Sequence, residues 1–176
     1  MTQLAERIEA LERGVARVAD QAPELPQPEV VLLRMLLMTG QVVADQFERT
    51  LKPHGLSESE FRTLIVLLSS PQGRAHPGEL CQFATQKPTN MTRITDGLVR
   101  RGLATRTPSD SDRRRIVLQL TPVGRRFARK LLPLLFPHAR ALFAGFSAAE
   151  KRALHRALCK LLLRVDALAS TDATKA

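Results

Sequence analysis

Tryptophan and tyrosine are absent from this 176-residue chain, and phenylalanine occurs only seven times. Proteins that hold single-stranded nucleic acid stack bases on aromatic rings. Here Phe127, Phe136, Phe143 and Phe146 sit among aliphatic residues, where core packing is the expected role. The two cysteines, Cys81 and Cys159, lie far apart in helix-like apolar patterns. That excludes a disulfide framework and points to two buried thiols in a reducing, cytosolic compartment. The longest apolar runs, residues 30–33 and 35–38, are split by Arg34. They fall short of the roughly 18–20 residues of a membrane span. A basic segment leading into an apolar one is missing from the N-terminus, so no secretory signal is expected. The four histidines (His54, His76, His138, His155) are scattered without a metal-ligand spacing. There is no phosphate-binding glycine loop and no nucleophile beside a histidine in sequence. Neither catalysis, a metal nor a cofactor is expected.

What the chain has in excess is positive charge, and it is concentrated. The formal net charge is +10. Residues 86–130 alone hold twelve Lys/Arg against three Asp/Glu, a net of +9. An excess of that density calls for a polyanion. With so few aromatic residues, duplex DNA is the better fit.

Helical and strand periodicities give an order of elements. Leu4, Ile8, Leu11, Val15 and Val18 repeat at 4-3-4-3 spacing, a heptad-like stripe on a first helix. Pro23, Pro26 and Pro28 follow. From Glu29 to about Leu51 a second helix is apolar on every side at its start, so it needs cover on every side, and a second subunit is the natural source. Ser57 with Glu60 is a capping box opening the next helix. Residues 71–77 read as loop, and Gly78 begins a short helix. Pro88 starts the helix that Gly102 ends. A strand over 103–107, a turn over 108–112 and a second strand follow. In that strand Ile116, Leu118 and Leu120 share one face, and Arg115, Val117 and Gln119 the other. Thr121-Pro122 is a helix start, and Pro133 and Pro137 should kink or break that helix. A capping box at Ser147 and Glu150 opens the last one, where Leu154, Leu158, Leu161, Val165 and Leu168 repeat at 4-3-4-3 spacing. The fold class is mainly α with a small β-hairpin, a winged helix-turn-helix with dimerisation helices at both ends.

On the helix from Pro88, at about 100° per residue, Met91, Ile94 and Leu98 form the core face. Thr89, Arg93, Asp96 and Arg100 lie opposite, flanked by Asn90 and Thr92. The second helix of a helix-turn-helix enters the major groove by its N-terminal part. Arg93 can donate two bonds to guanine and Asn90 can pair with adenine. Thr89 and Thr92 suit phosphates or thymine methyls. In the turn Asp110-Ser111-Asp112-Arg113-Arg114-Arg115, adjacent arginines repel one another unless an anion is present, and an arginine tip fits a narrow minor groove.

The run TNMTRITDGLVRRGL…SDSDRRRIVLQLTPVG resembles the MarR family of bacterial transcription factors, most of all its multidrug-efflux-repressor branch, the EmrR/MprA-like proteins. The Asp-Arg-Arg of the wing, the Leu-Thr-x-x-Gly after it and the Thr-Arg of the recognition helix carry the likeness, over about residues 28–168. The resemblance implies a cytoplasmic homodimer that binds a palindromic operator and is released by a phenolic or lipophilic small molecule. Arg114 would then be the minor-groove arginine, with Asp112 and Arg113 as supports and Arg115 beside them. Residues 89–93 would read the major groove. Pro88 departs from the polar residue common in relatives, and the helix of residues 2–19 lies outside the shared core. The implied organisation is an N-terminal helical extension and linker (1–27), a winged helix-turn-helix domain (28–169) and a disordered tail (170–176). Within the domain, the DNA-binding core spans about 56–121, with dimerisation helices over about 29–52 and 122–169. Leu32, Leu36, Leu154, Leu158, Leu161 and Val165 are the candidate dimer contacts. Arg34, Met35, Met38, His54, Phe61 and Arg62 are the candidate ligand pocket. A sequence-nonspecific DNA-architectural protein and a thiol-based redox regulator are the alternatives.

Overall fold

The computed structural model describes residues 2–109 and 116–175. In chain order the elements are α1 (Gln3–Ala19), α2 (Gln27–Leu51), α3 (Glu58–Ser69), β1 (Arg74–Ala75), α4 (Pro77–Phe83), α5 (Pro88–Arg100), β2 (Ala104–Pro108), β3 (Ile116–Leu120), α6 (Pro122–Leu142) and α7 (Ala148–Lys175). The chain divides into two units, Met1–Ala128 and Arg129–Ala176, with α6 beginning in the first and ending in the second. The fold is mainly helical with a small antiparallel sheet, a winged helix-turn-helix.

The core of the first unit forms where three amphipathic helices put their apolar faces against the sheet. Leu64 and Leu67 of α3, Leu80 of α4, Ile94 and Leu98 of α5 and Leu118 of β3 are all essentially inaccessible. The capping box predicted at Ser57 closes as expected. The Glu60 amide donates to Ser57 Oγ at 3.3 Å, and the Ser57 amide donates to the Glu60 carboxylate at 2.9 Å. Such a reciprocal pair satisfies two of the helix's orphan donors. α2 is anchored by its C-terminal end, where Leu51 is fully buried and Phe47 meets the edge of Phe61, centroids 5.2 Å apart.

The sheet order is β1-β3-β2, and both pairings are antiparallel. β1, inside the stretch expected to be loop, pairs Arg74 with Gln119 and Ala75 with Leu118. Two residues are too few for a periodicity to show. Leu118 and Leu120 are buried together, as a shared face predicts, while Ile116 at the start of the strand is 53% exposed and Val117 of the other face is buried as well.

Several expectations for the helices change. α6 runs unbroken through Pro133 and Pro137. Each proline removes one amide donor, and the residues carrying the freed carbonyls, Arg129 and Pro133, are exposed, so water can satisfy them. Phe136, Phe143 and Phe146 are exposed rather than packed in a core, although Phe143 and Phe146 meet edge to face at 5.8 Å. α7 continues to Lys175 where a frayed tail was expected from Ser170. The hydroxyls of Ser170 and Thr171 bond back to the carbonyls of Asp166 and Ala167 at 3.0 and 2.9 Å. At the start of α7 the Ser147 hydroxyl and amide hold the Glu150 carboxyl below its ordinary pKa. That part of the cap is therefore present above the ordinary carboxylate range and is lost as pH falls through the lowered value.

Two long apolar faces stay open. Leu32, Leu33 and Leu37 of α2 are each more than half exposed. The stretch Gln27–His54 is also long and apolar enough to cross a membrane, judged by length and composition alone, although its separate apolar runs are short. In the second unit Leu158, Leu161, Leu162, Leu163, Val165 and Leu168 are all exposed along α7. Exposed apolar surface of this extent marks an interaction face.

Candidate nucleic-acid interface

α4 and α5 are joined by a short turn in which Thr85 adopts a left-handed conformation, φ 54°. The turn sets α5 with Met91, Ile94, Thr95 and Leu98 inward. Thr89, Thr92 and Arg93 are left fully on the surface, and Asn90 is half-buried. The predicted faces of this helix are therefore the observed ones, apart from Thr95.

The polar side chains along α5 form an ordered relay. Gln86 Nε2 donates to Ser59 Oγ at 3.1 Å. Asn90 Nδ2 donates to Gln86 Oε1 at 2.7 Å. Arg93 Nε and Nη2 both donate to Asn90 Oδ1, at 3.3 and 3.0 Å. Asn90 thus spends its amide holding Arg93, a different use from the adenine pairing expected of it. A guanidinium held this way loses less side-chain freedom on meeting a base, a saving of about 0.5–1.5 kcal/mol per ordered side chain.

A second tie, not foreseen from the sequence, joins the hairpin to this helix. Arg106 on β2 donates to the Asp96 carboxylate and, at 3.1 Å, to the Thr95 hydroxyl. Asp96 and Arg106 are ten residues apart on a helix and a strand, so no local periodicity relates them. The pair is part-exposed and worth only about 0–1 kcal/mol to stability. Its effect is geometric, fixing the angle between α5 and the hairpin. We expect Arg106→Ala to lower operator affinity about tenfold while leaving the salt dependence of binding unchanged, because a tie that touches no phosphate releases no counterion. Filter binding across a salt series checks this. A shallower slope would make Arg106 a phosphate contact instead.

Arg101 is likewise engaged inside the protein. It donates to the carbonyl of Gly55 and, at 3.1 Å, to that of His54, and lies over the Phe127 ring at 5.4 Å. The hairpin's base is locked by the Leu-Thr-x-x-Gly motif. Thr121 Oγ1 donates to the Gly102 carbonyl at 2.7 Å and accepts from the Gly124 amide at 2.9 Å. A Cβ on Gly124 would lie 2.0 Å from the Leu103 carbonyl oxygen, so glycine is required there. Asp112, Arg113, Arg114 and Arg115 lie outside the described residues.

The other candidate residues separate. Arg34 lines a groove of about 350 Å³ between α1 and α2. Met35 and Met38 are half-buried. Phe61 packs on Phe47, and Arg62 is held by Glu58 and the Ala84 carbonyl. The carbonyl of His54 serves Arg101. These six residues therefore do not share that groove. Of the dimer candidates, Leu32, Leu36, Leu158, Leu161 and Val165 are exposed, and Leu154 is half-exposed. Cys81 is half-buried, but Cys159 is exposed, against the expectation of a core thiol. Cys159 Sγ also lies 3.7 Å from His155 Nε2, one helical turn away, which qualifies the expectation of histidines without a ligand-like spacing. Among the described residues no cluster of three metal-ligating side chains occurs.

Comparison with known proteins places this geometry. The MarR family model matches residues 54–115. The transcriptional repressor MprA of Escherichia coli is 34% identical over 148 residues, covering 84% of each chain. A cysteine-to-serine mutant of Escherichia coli MarR, solved with operator DNA, superposes with a TM-score of 0.70 at 24% identity, covering 79% of this chain and 99% of that one. BpsR of Bordetella bronchiseptica, whose DNA binding is regulated by 6-hydroxynicotinic acid, superposes with a TM-score of 0.66 at 23% identity, over 73% of this chain and 90% of that one. These relatives are transcriptional regulators and not enzymes.

Proposed function

The chain belongs to the MarR family of DNA-binding transcriptional regulators, and from that premise we propose that it is a cytoplasmic homodimeric repressor of a palindromic operator, released by a small lipophilic or phenolic ligand. The observation that carries the reading is the outward face of α5, where Thr89, Thr92 and a relay-held Arg93 stand beside a hairpin tied to the same helix. Arg93 reads guanine in the major groove, and Arg114, with Asp112, Arg113 and Arg115, grips the flanking minor groove. Repression is supported by the likeness to MprA, and release by a small acid by the likeness to BpsR. Two free cysteines suit the reducing cytosol. Leu32 and Leu36 of α2, and Leu154, Leu158, Leu161 and Val165 of α7, are the faces a second copy covers.

Competition separates sequence readout from charge attraction. Scrambled duplex should compete at least 10³-fold more weakly than a palindromic fragment of the regulated promoter. Arg93→Ala should narrow that gap by about 1–3 kcal/mol at one base position in each half-site. Equal competition by both duplexes would make the protein a nonspecific DNA-architectural one. For the wing, Arg114→Ala should lower the log–log salt slope by about 0.9 for each phosphate neutralisation lost. A salt series with unchanged slope and affinity would remove the wing from the interface.

A further inference from the structure

We propose that Gln86, which lies outside the recognition helix α5, is a positioning residue for base readout: through Asn90 it holds Arg93 with its guanine-reading edge outward. This deepens the reading of a base-specific regulator and rests on it. The relay has a direction fixed by chemistry. A guanidinium has donors only, whereas an amide has one donating and one accepting end. Arg93 therefore faces the Asn90 carbonyl, at 3.3 Å from Nε and 3.0 Å from Nη2. The amino end of Asn90 is left to find an acceptor, and meets Gln86 Oε1 at 2.7 Å. The amino end of Gln86 in turn meets Ser59 Oγ of α3 at 3.1 Å. Gln86 thus sets which way the Asn90 amide points, and Asn90 sets which edge of Arg93 is occupied. The Nη1–Nη2 edge stays clear of these bonds, and two parallel donors of that kind match guanine O6 and N7.

The backbone before α5 is the second observation. Thr85 and Gln86 close α4 with a Schellman pair. The Gln86 amide donates to the Cys81 carbonyl at 2.9 Å, and the Thr85 amide to that of Gln82 at 3.3 Å. Glycine is the usual residue at the left-handed position of this motif. Here the position is held by Thr85, φ 54°, a β-branched residue in a conformation it rarely adopts. The bonds that hold Thr85 there also fix the backbone of Gln86. Gln86 is therefore secured twice, by the end of α4 at its amide N–H and by Ser59 at its side chain. Ser59, Gln86 and Asn90 are all half-buried, so the relay lies under the exposed Arg93 rather than beside it in open water.

Duplexes of the palindromic promoter fragment, carrying each of the four bases in turn at the half-site position where Arg93→Ala loses its preference, test this by fluorescence anisotropy. Gln86→Met keeps the length of the side chain and removes both of its bonds. It should lower the preference for guanine there about three- to tenfold, the freedom that an unheld guanidinium gives up on meeting a base. Gln86→Glu keeps an acceptor for Asn90 and should retain the guanine preference, although its added charge weakens binding to all four duplexes. Ser59→Ala leaves α5 and its turn untouched and should lower the preference in the same direction as Gln86→Met. It carries the test should Gln86→Met lose wild-type helicity by circular dichroism. A wild-type preference in both Gln86→Met and Ser59→Ala would overturn the role of Gln86 and leave Arg93 as the reader. So would a fall in affinity shared equally by all four duplexes in Gln86→Met, which would make Gln86 merely structural. If Arg93→Ala loses its preference at no position, Arg93 is not the reader, and the proposal falls with that reading.

Discussion

Gly124→Ala is expected to destabilise the protein by about 3 kcal/mol, a large share of the roughly 5–15 kcal/mol that holds a folded protein together. The added methyl would sit 2.0 Å from the Leu103 carbonyl oxygen and 2.9 Å from Leu120 Cδ1. Neither can yield, because one is backbone entering β2 and the other is buried in the core. Relief requires the start of α6 to move away from β2. That motion breaks the bond from the Thr121 amide to the Leu103 carbonyl, 3.1 Å, and draws the Thr121 hydroxyl off the Gly102 carbonyl. A backbone bond and a cap are worth about 1 kcal/mol each, and overpacking adds about 1–3. Alanine's better helix propensity returns only about 1 kcal/mol, so the clash wins. Thr121→Ala, which loses the cap without the clash, should cost about 1 kcal/mol. Urea unfolding followed by far-UV circular dichroism reads both. An unchanged midpoint for Gly124→Ala would mean that the close approach of α6 to Leu103 is wrong.

The same motif marks how far the sequence was legible. Thr121-Pro122 announces a helix start through local chemistry, and Ser57 with Glu60 announces another, because caps act over three residues. The inward face of α5 was readable because Met91, Ile94 and Leu98 repeat at helical spacing. Arg106 with Asp96 was not readable, since nothing local relates a strand residue to a helix residue ten positions earlier. Nor was Asn90's commitment to Arg93, because an asparagine that can face a base can equally face its neighbour four or three residues along. β1 has no period to detect. Pro133 and Pro137 were expected to kink or break α6 and do not break it; the carbonyls they leave unpaired belong to exposed residues that water can satisfy, which no local pattern announces. Cys159, Phe136, Phe143 and Phe146 misled for one reason: apolar spacing says that a face needs cover, not which chain provides it.

Leu161→Asp is expected to dissociate the proposed dimer and with it nearly all operator affinity. The apolar residues of α7 from Leu158 to Leu168 are exposed, with Leu161 at 42% and Leu162 at 68%. Burying a leucine contributes about 1.5–3 kcal/mol. In a two-fold interface each substitution acts twice, so two leucines are lost and two carboxylates must be desolvated near their own copies. Local charge does not offset this fully, because although α7 carries Arg164 and Lys160 nearby, they reach an aspartate at the interface only by leaving water themselves. A dimer that presents two recognition helices to a palindrome gains about 10²–10⁴ in affinity over one helix alone. The substituted protein should therefore sediment as a monomer and bind operator at least 10²-fold more weakly, keeping nonspecific attraction through its unchanged charge of residues 86–130. Its helical circular dichroism separates dissociation from unfolding. Leu32→Asp on α2 should behave in the same way if that face belongs to the same interface. Were Leu161→Asp to remain dimeric and bind operator tightly, α7 would not be the interface, and the exposed leucines along it would need a partner other than a second copy of this chain.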